Sequence, residues 1–190
     1  MLTSIAAGTL TGWGYARWRG RSWRAPTYRA IWLVFAGFLP QFIAFYLPST
    51  RRILPDDLAA AFLVLSQGML LGFALVNLRL PGMPFLSIGL GCNLAVIIAN
   101  GGFMPLSLEA LAGQLSPTVL DGLEVGGRIG SASKDILLAD SQITLPWLAD
   151  RLSLPAPILQ RYIFSLGDVF VAAGAFWMTA QGQRPAIGSA

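Results

Sequence analysis

Apolar positions fall along this chain in five runs separated by polar or proline-rich breaks. The first covers Leu2–Ala16 and carries Gly8 and Gly12 one helical turn apart, a spacing that lets helices approach closely. The second, Ala30–Pro48, holds Pro40 and Gln41 near its middle, where the missing proline N–H predicts a kink. The third, Leu58–Leu78, is 21 residues without a charge and holds Gln67 beside Gly68 and Gly72, again four apart. The fourth, Phe85–Ala99, contains Cys92 and Asn93; its fifteen residues reach about 22 Å at ~1.5 Å per residue. That falls short of a hydrocarbon core of roughly 30 Å. The fifth, Tyr162–Ala180, has a carboxylate inside it, Asp168. The periodicity therefore predicts an all-α, polytopic transmembrane helical bundle of about five spans, forming a single integral domain over residues 1–190.

Between the fourth and fifth runs lies a segment, 101–161, expected to be irregular and to rest on the non-cytoplasmic face. Within it "LSLEALAGQL" (106–115) has helical spacing suited to a membrane surface. "DGLEVGGRIGSASKD" (121–135) reads as loop, and prolines 146, 155 and 157 oppose one long helix over 143–157. Trp147 and Leu148 suit an interfacial anchor. Residues 181–190 read as a flexible tail.

Composition agrees with a membrane class: 55% of residues are hydrophobic and 12% charged, against about a quarter charged in a typical soluble domain. The net charge is +4, and its placement matters more than its sum. Arg17, Arg19, Arg21, Arg24 and Arg29 crowd one loop, which predicts a cytoplasmic loop rather than a nucleic-acid site. Trp13, Trp18, Trp23, Trp32 and Trp177 then form an inner aromatic belt. The expected setting is the bacterial inner membrane, multi-pass, with its start outside. The basic cluster follows the first apolar run, an order suited to a retained span and not to a cleaved leader.

Histidine is absent and Cys92 is the lone cysteine. No metal site built on imidazole or thiolate, and no cofactor, is expected. Chemistry is sought instead at Asp150 and Asp168, the one carboxylate pair with a plausible common location. Two adjacent carboxyl groups do not both ionise easily, and sharing a proton equips them for acid–base work. The plainer readings are a solvated Asp150 beside Arg151, and Asp168 as a structural partner of Lys134 or Arg161. A second polar cluster is Asn100, Gly101 and Gly102, either a turn exposing amides to a ligand or a helix C-cap. Gln41, Gln67 and Asn93 read as hydrogen-bonding glue between helices.

The early run with its Arg-rich loop, "NGGFMPLSLEAL", the step Ser133–Lys134, "LPWLAD" and "FSLGD" together resemble a family of small bacterial multi-pass proteins known only as a domain of unknown function. That resemblance implies a membrane location and no activity. Over Gly126–Gly174 the chain has a more distant likeness to lipoprotein signal peptidases: "GGRIGSASKD" is similar to their glycine-rich step, and Asp150 and Asp168 look like their paired catalytic aspartates. Ser131 and Ser165 stand where those enzymes carry asparagines. The likeness implies cleavage of lipid-modified prolipoproteins at the outer membrane face.

Three functions follow as expectations. The leading one is a non-catalytic accessory or scaffold subunit, with lipid bilayer and other membrane subunits as partners. The alternative is an intramembrane aspartyl hydrolase using Asp150 and Asp168. Third is a carrier using Gln41, Gln67, Asn93 and Asp168.

Overall fold

The computed structural model describes residues 1–23, 25–112, 122–153 and 162–181. Five longer helices form in chain order: α1 (Leu2–Trp18), α2 (Trp32–Gln41), α3 (Asp56–Val76), α4 (Met83–Ala99) and, after a short α5 (Leu108–Ala112), α6 (Leu166–Ala180). They coincide with the five apolar runs, but the five-span, all-α bundle is not what they build. Among the described residues, α3 is the one helix long and apolar enough to cross a membrane. Its 21 residues rise about 31 Å at ~1.5 Å each. Residues 32–46, α4 and α6 are apolar but have 15 to 17 residues, or about 22–26 Å of helix.

Local chemistry explains the shortening. Pro40 sits in the last turn of α2, and the chain continues as a π-helical turn, Phe42–Tyr46. A proline supplies no N–H to the α-helical ladder, so this is where the ladder changes pitch. Leu47 is extended, as the residue before Pro48 must be. Gly82, left-handed at φ 84°, and Pro84 start α4. Tyr162–Phe164, expected inside the fifth span, are extended instead and contribute a strand.

Nor is the 101–161 segment irregular throughout. Strands β1 (Met104–Ser107) and β2 (Asp135–Leu138) pair in parallel, Met104 opposite Asp135. Strands β3 (Leu152–Ser153) and β4 (Ile163–Phe164) pair antiparallel, Leu152 opposite Phe164. The segment 106–115, expected as a surface helix, opens as β1 and the one turn of α5; residues 113–115 lie outside the described residues, as do Arg24, Arg161 and tail residues 182–190.

The helices are locked together by glycines. A Cβ on Gly89 of α4 would fall 2.8 Å from Val171 Cγ2 of α6, and one on Gly174 would fall 2.8 Å from Leu86 Cγ. Gly8 and Gly12 of α1 meet the α6 backbone at Ala172 and Phe176. Thus α6 is gripped between α1 and α4. One apolar core gathers Phe45, Leu63, Val96 and Phe103, and a second gathers Met83, Leu90, Ala74 and Val171.

Helix directions separate two ends. At one, Asn77 holds both backbone groups of Arg29, accepting from its N–H at 2.8 Å and donating to its carbonyl at 2.9 Å. Trp23 Nε1 donates to Met178 O at the close of α6. The N-termini of α1 and α6 and the C-terminus of α4 meet at the other end, under the strands.

Candidate functional site

Strand β1 is the organiser of that second end. On one edge it pairs with β2; on the other, Asp150 N–H donates to Pro105 O at 3.0 Å, and Ser107 N–H donates to Asp150 O at 3.3 Å. All four β1 residues are buried. The strand therefore carries Asp135 at one margin and Asp150 at the other. Met104 N–H donates to Lys134 O at 3.0 Å, fixing the lysine backbone beside them. The β3–β4 pairing then runs the chain after Asp150 back along the chain before Asp168, which levels Asp150 with the start of α6.

The result is a cavity of about 360 Å3 whose wall includes Gln67, Asn93, Ser133, Lys134, Asp135, Asp150, Ser165 and Asp168. The two aspartates singled out in the sequence share this cavity, together with Lys134 and Ser165.

Asp168 is not deep in a span. It is the third residue of α6, in the first turn, where the exposed amides of a helix favour negative charge. Ser165 caps that helix: its Oγ accepts from Asp168 N–H at 3.1 Å and donates to Asn93 Oδ1 at 3.1 Å. Asn93 Nδ2 donates to Asp168 Oδ1 at 3.4 Å, and the α-amino nitrogen of Met1 lies 3.0 Å from Oδ2. The carboxylate is 6% exposed and accepts a donor at each oxygen. Neither proposed partner is the one found: Lys134 makes no ion pair with it among the described residues, and Arg161 lies outside them.

Asp150 contrasts with it. Its Oδ1 is shut off from solvent and has no hydrogen-bond partner among the described residues. The carboxyl is pushed well above the usual carboxylate range by burial first, then by the negative charges of Asp135 and Asp168. The solvated reading of Asp150 does not fit this setting. Asp135, which the sequence left as loop, has its carboxyl raised by burial, against a hydrogen bond from Ser133 Oγ at 3.0 Å and the charge of Lys134.

Lys134 is the chain's one lysine beside twelve arginines, a contrast visible in the sequence that could have sharpened its choice. Its Nζ donates to Gln41 Oε1, whose amide in turn donates to Ser66 Oγ. It lies 5.8 Å from the Phe45 ring centroid and 5.4 Å from that of Tyr46. Burial lowers the ammonium from its ordinary value to about 8, with Asp135 pulling the other way.

The second sequence cluster stands apart. Asn100 accepts from Thr144 N–H at 2.9 Å and donates to Thr144 O at 2.8 Å, so it pins a loop. Gly101 and Gly102 follow with φ of 76° and 88°, the left-handed turn that ends α4. None of the three lines the cavity. Among the described residues, no three His, Cys, Asp or Glu side chains gather to hold a metal.

The fold thus defines a class: helices clamped by glycine contacts, closed at one end by a short parallel strand pair that holds aspartates and a lysine around one cavity. Residues 27–180 match the family DUF5317, a family of unknown function, and the chain belongs to it. No curated protein and no solved structure matches the chain.

Proposed function

We propose that this protein is a membrane-embedded aspartyl hydrolase that cleaves an amide bond, with Asp150 as general acid and Asp168 as general base. One observation carries the reading: Asp150 and Asp168 line one cavity, the first buried with Oδ1 unpartnered and the second with a donor at each oxygen. A carboxyl whose proton burial holds more tightly can give that proton to a leaving amine. A carboxylate held by donors, as Asp168 is by Asn93, can take one from water. The remote likeness to lipoprotein signal peptidases supplies the substrate class, a lipid-modified polypeptide.

A bilayer setting fits the surface. Trp32, Phe35, Leu39, Leu65, Ile88 and Ile98 are all exposed on helices, and large exposed apolar surface marks a membrane or partner face. Trp13, Trp18, Trp23, Trp32 and Trp177 are exposed near the Arg-rich end, and Trp147 near the cavity end. In this reading the arginine cluster Arg17–Arg29 lies on the cytoplasmic side and the cavity opens on the other.

The test is a synthetic peptide carrying a diacylglyceryl-modified cysteine, incubated with the detergent-solubilised protein and read by mass spectrometry. The parent cleaves it, and Asp150→Asn and Asp168→Asn each lose about 100-fold or more. An uncut peptide, or variants that cut like the parent, refutes the hydrolase.

An accessory-subunit role rests on a different observation. Gly8 and Gly12 are used within the chain, but Gly68 faces open space on α3, a free surface for another helix. Recovery of a stoichiometric partner in mild detergent, lost on Gly68→Leu, would support it; a partner-free monomer would not.

A further inference from the structure

We propose that Lys134 is the oxyanion-binding residue of this cavity, donating a hydrogen bond to a substrate carbonyl oxygen as negative charge develops on it. The inference rests on the hydrolase reading and adds the group that reading lacks. Asp150 and Asp168 are both assigned to proton transfer, which leaves the developing alkoxide without a dedicated cationic donor.

Three features of Lys134 converge on this role. The first is position. Its backbone is fixed to β1 through Met104, and its side chain lines the cavity that Asp150 and Asp168 also line. The second is unspent donor capacity. An ammonium has three N–H donors; Gln41 takes one, and the Phe45 and Tyr46 rings offer only diffuse attraction. No carboxylate pairs with it among the described residues. The third is the choice of residue. Every other cation in the side chains is arginine, whereas here stands the compact point charge that a small cavity accepts.

The surroundings select the ligand. Asp135, Asp150 and Asp168 share the cavity with Lys134, as do Tyr46, Tyr162 and the Met1 amine. Three carboxyl groups oppose a ligand that arrives with a full negative charge. A neutral carbonyl meets no such barrier, and Lys134 then acts mainly when charge appears on its oxygen, the condition for raising kcat and not merely binding.

The step balances. Water oxygen bonds to the carbonyl carbon while Asp168 takes a water proton, and the carbonyl π pair moves onto oxygen facing Lys134. That pair returns, the C–N bond breaks, and the leaving nitrogen takes the proton of Asp150. The products are a carboxylic acid and an amine. Proton transfer from Asp168 to Asp150 through water restores the start.

The kinetic test uses the same lipid-modified peptide with Lys134→Met and Lys134→Arg, their folding checked by melting temperature. Lys134→Met should lower kcat about 100-fold or more with KM within about twofold. Lys134→Arg should keep more activity and move the alkaline limb of the pH profile upward, because guanidinium does not titrate there. A second readout needs no turnover. Biosynthetic [13C]lysine labels Lys134 alone, the one lysine of the chain, and leaves its three N–H donors intact; a peptide trifluoromethyl ketone enters neutral and becomes a tetrahedral hydrate whose oxygen ionises beside Lys134. The ketone should raise the Lys134 titration point from about 8 by at least about one unit, while the uncleaved amide peptide should not. A Lys134→Met enzyme with parental kcat, a loss confined to KM, or an unmoved titration point overturns the proposal. If that happens while Asp168→Asn remains inactive, the inference fails alone. If the parent does not cut the peptide, the hydrolase reading has failed with it.

Discussion

Asn93 and Asp168 meet at 3.4 Å across the α4–α6 seam, the amide donating to the carboxylate at a point where neither helix carries a side chain larger than hydrogen at Gly89 or Gly167. The polar contact depends on that packing. Both helices must touch for a short asparagine to reach the first turn of α6.

Gly167→Ala is therefore expected to damage both stability and the site. Its Cβ would run into the Asn93 amide and fall 2.9 Å from Gly89 O. Overpacking of this kind costs about 1–3 kcal/mol. Gly91→Ala, on the facing helix α4 with nothing within 4 Å, should be neutral or stabilising by up to about 1 kcal/mol. Thermal unfolding of the two variants in detergent compares them directly, and equal melting temperatures would contradict the seam.

Ser165→Ala removes the α6 cap and leaves Asn93 Oδ1 without its donor. The expected cost is about 1–2 kcal/mol. The effect should be local: amide exchange at Asp168 should quicken while α3 stays protected, which hydrogen-exchange mass spectrometry resolves. Uniform acceleration would argue against a cap-specific role.

Stability should fall with rising pH because of Asp150. Its folded-state carboxyl lies above the ordinary value of 3.8, so between those two points the folded chain binds more protons than the unfolded one. Stability is then fully present below roughly pH 4 and declines as pH rises through the raised folded value. Asp150→Asn should flatten that decline in unfolding curves taken from pH 4 to 8. Lys134 acts in the opposite sense at higher pH. With its ammonium lowered from 10.5 to about 8, it makes stability rise across that interval.

Arg128 is expected to hold the Lys134 step in place from behind. Its guanidinium donates to Ser131 O at 2.7 Å and Ser133 O at 3.0 Å, pairs with Asp56 at 2.7 Å, and lies 5.1–5.3 Å from the Phe103 and Phe45 ring centroids. The Arg128 side chain is 8% exposed and that of Asp56 66%, so the ion pair is open to solvent and the part-buried bond to Ser133 O is the better shielded contact. Arg128→Lys keeps the charge but not the fork. It should leave a carbonyl unpaired, cost about 1–3 kcal/mol, and open the 128–134 loop to limited proteolysis.

The positions of the helices were legible because long apolar runs mark them whatever the setting. Their lengths were less so. The π-helical turn after Pro40 and the extended Tyr162–Phe164 both consist of apolar residues that read equally as span. The parallel β1–β2 pair left almost no trace, since "MPLS" and "DILL" are four residues each without alternation. Asp135 went unseen for that reason: its place comes from pairing with Met104, across more than thirty residues of sequence. Asp150 and Asp168 were legible as a pair, one from its position before an apolar run and the other from its position inside it. What brings them to one cavity, the β3–β4 pairing, is two residues long on each side.

Asp168 itself separates shape from charge. Asp168→Asn keeps an acceptor for Asn93 and the backbone N–H that Ser165 caps, but loses the ion pair with the Met1 amine, so the fold should survive with a melting temperature modestly below that of the parent. Under the hydrolase reading its activity should vanish, since an amide cannot take a proton from water. Asp168→Leu is different. It leaves the Asn93 amide buried without its acceptor and places a branched apolar group beside Gln67 and Ser165 on the cavity wall. An unpaired buried donor costs about 1–3 kcal/mol, and the helix also loses a favourable negative charge in its first turn. The leucine variant should therefore unfold at lower temperature than the asparagine variant, although both are inactive. If the leucine variant is as stable as the asparagine one, the Asn93–Asp168 contact contributes nothing to the fold. If the asparagine variant still hydrolyses the peptide, Asp168 is not the base.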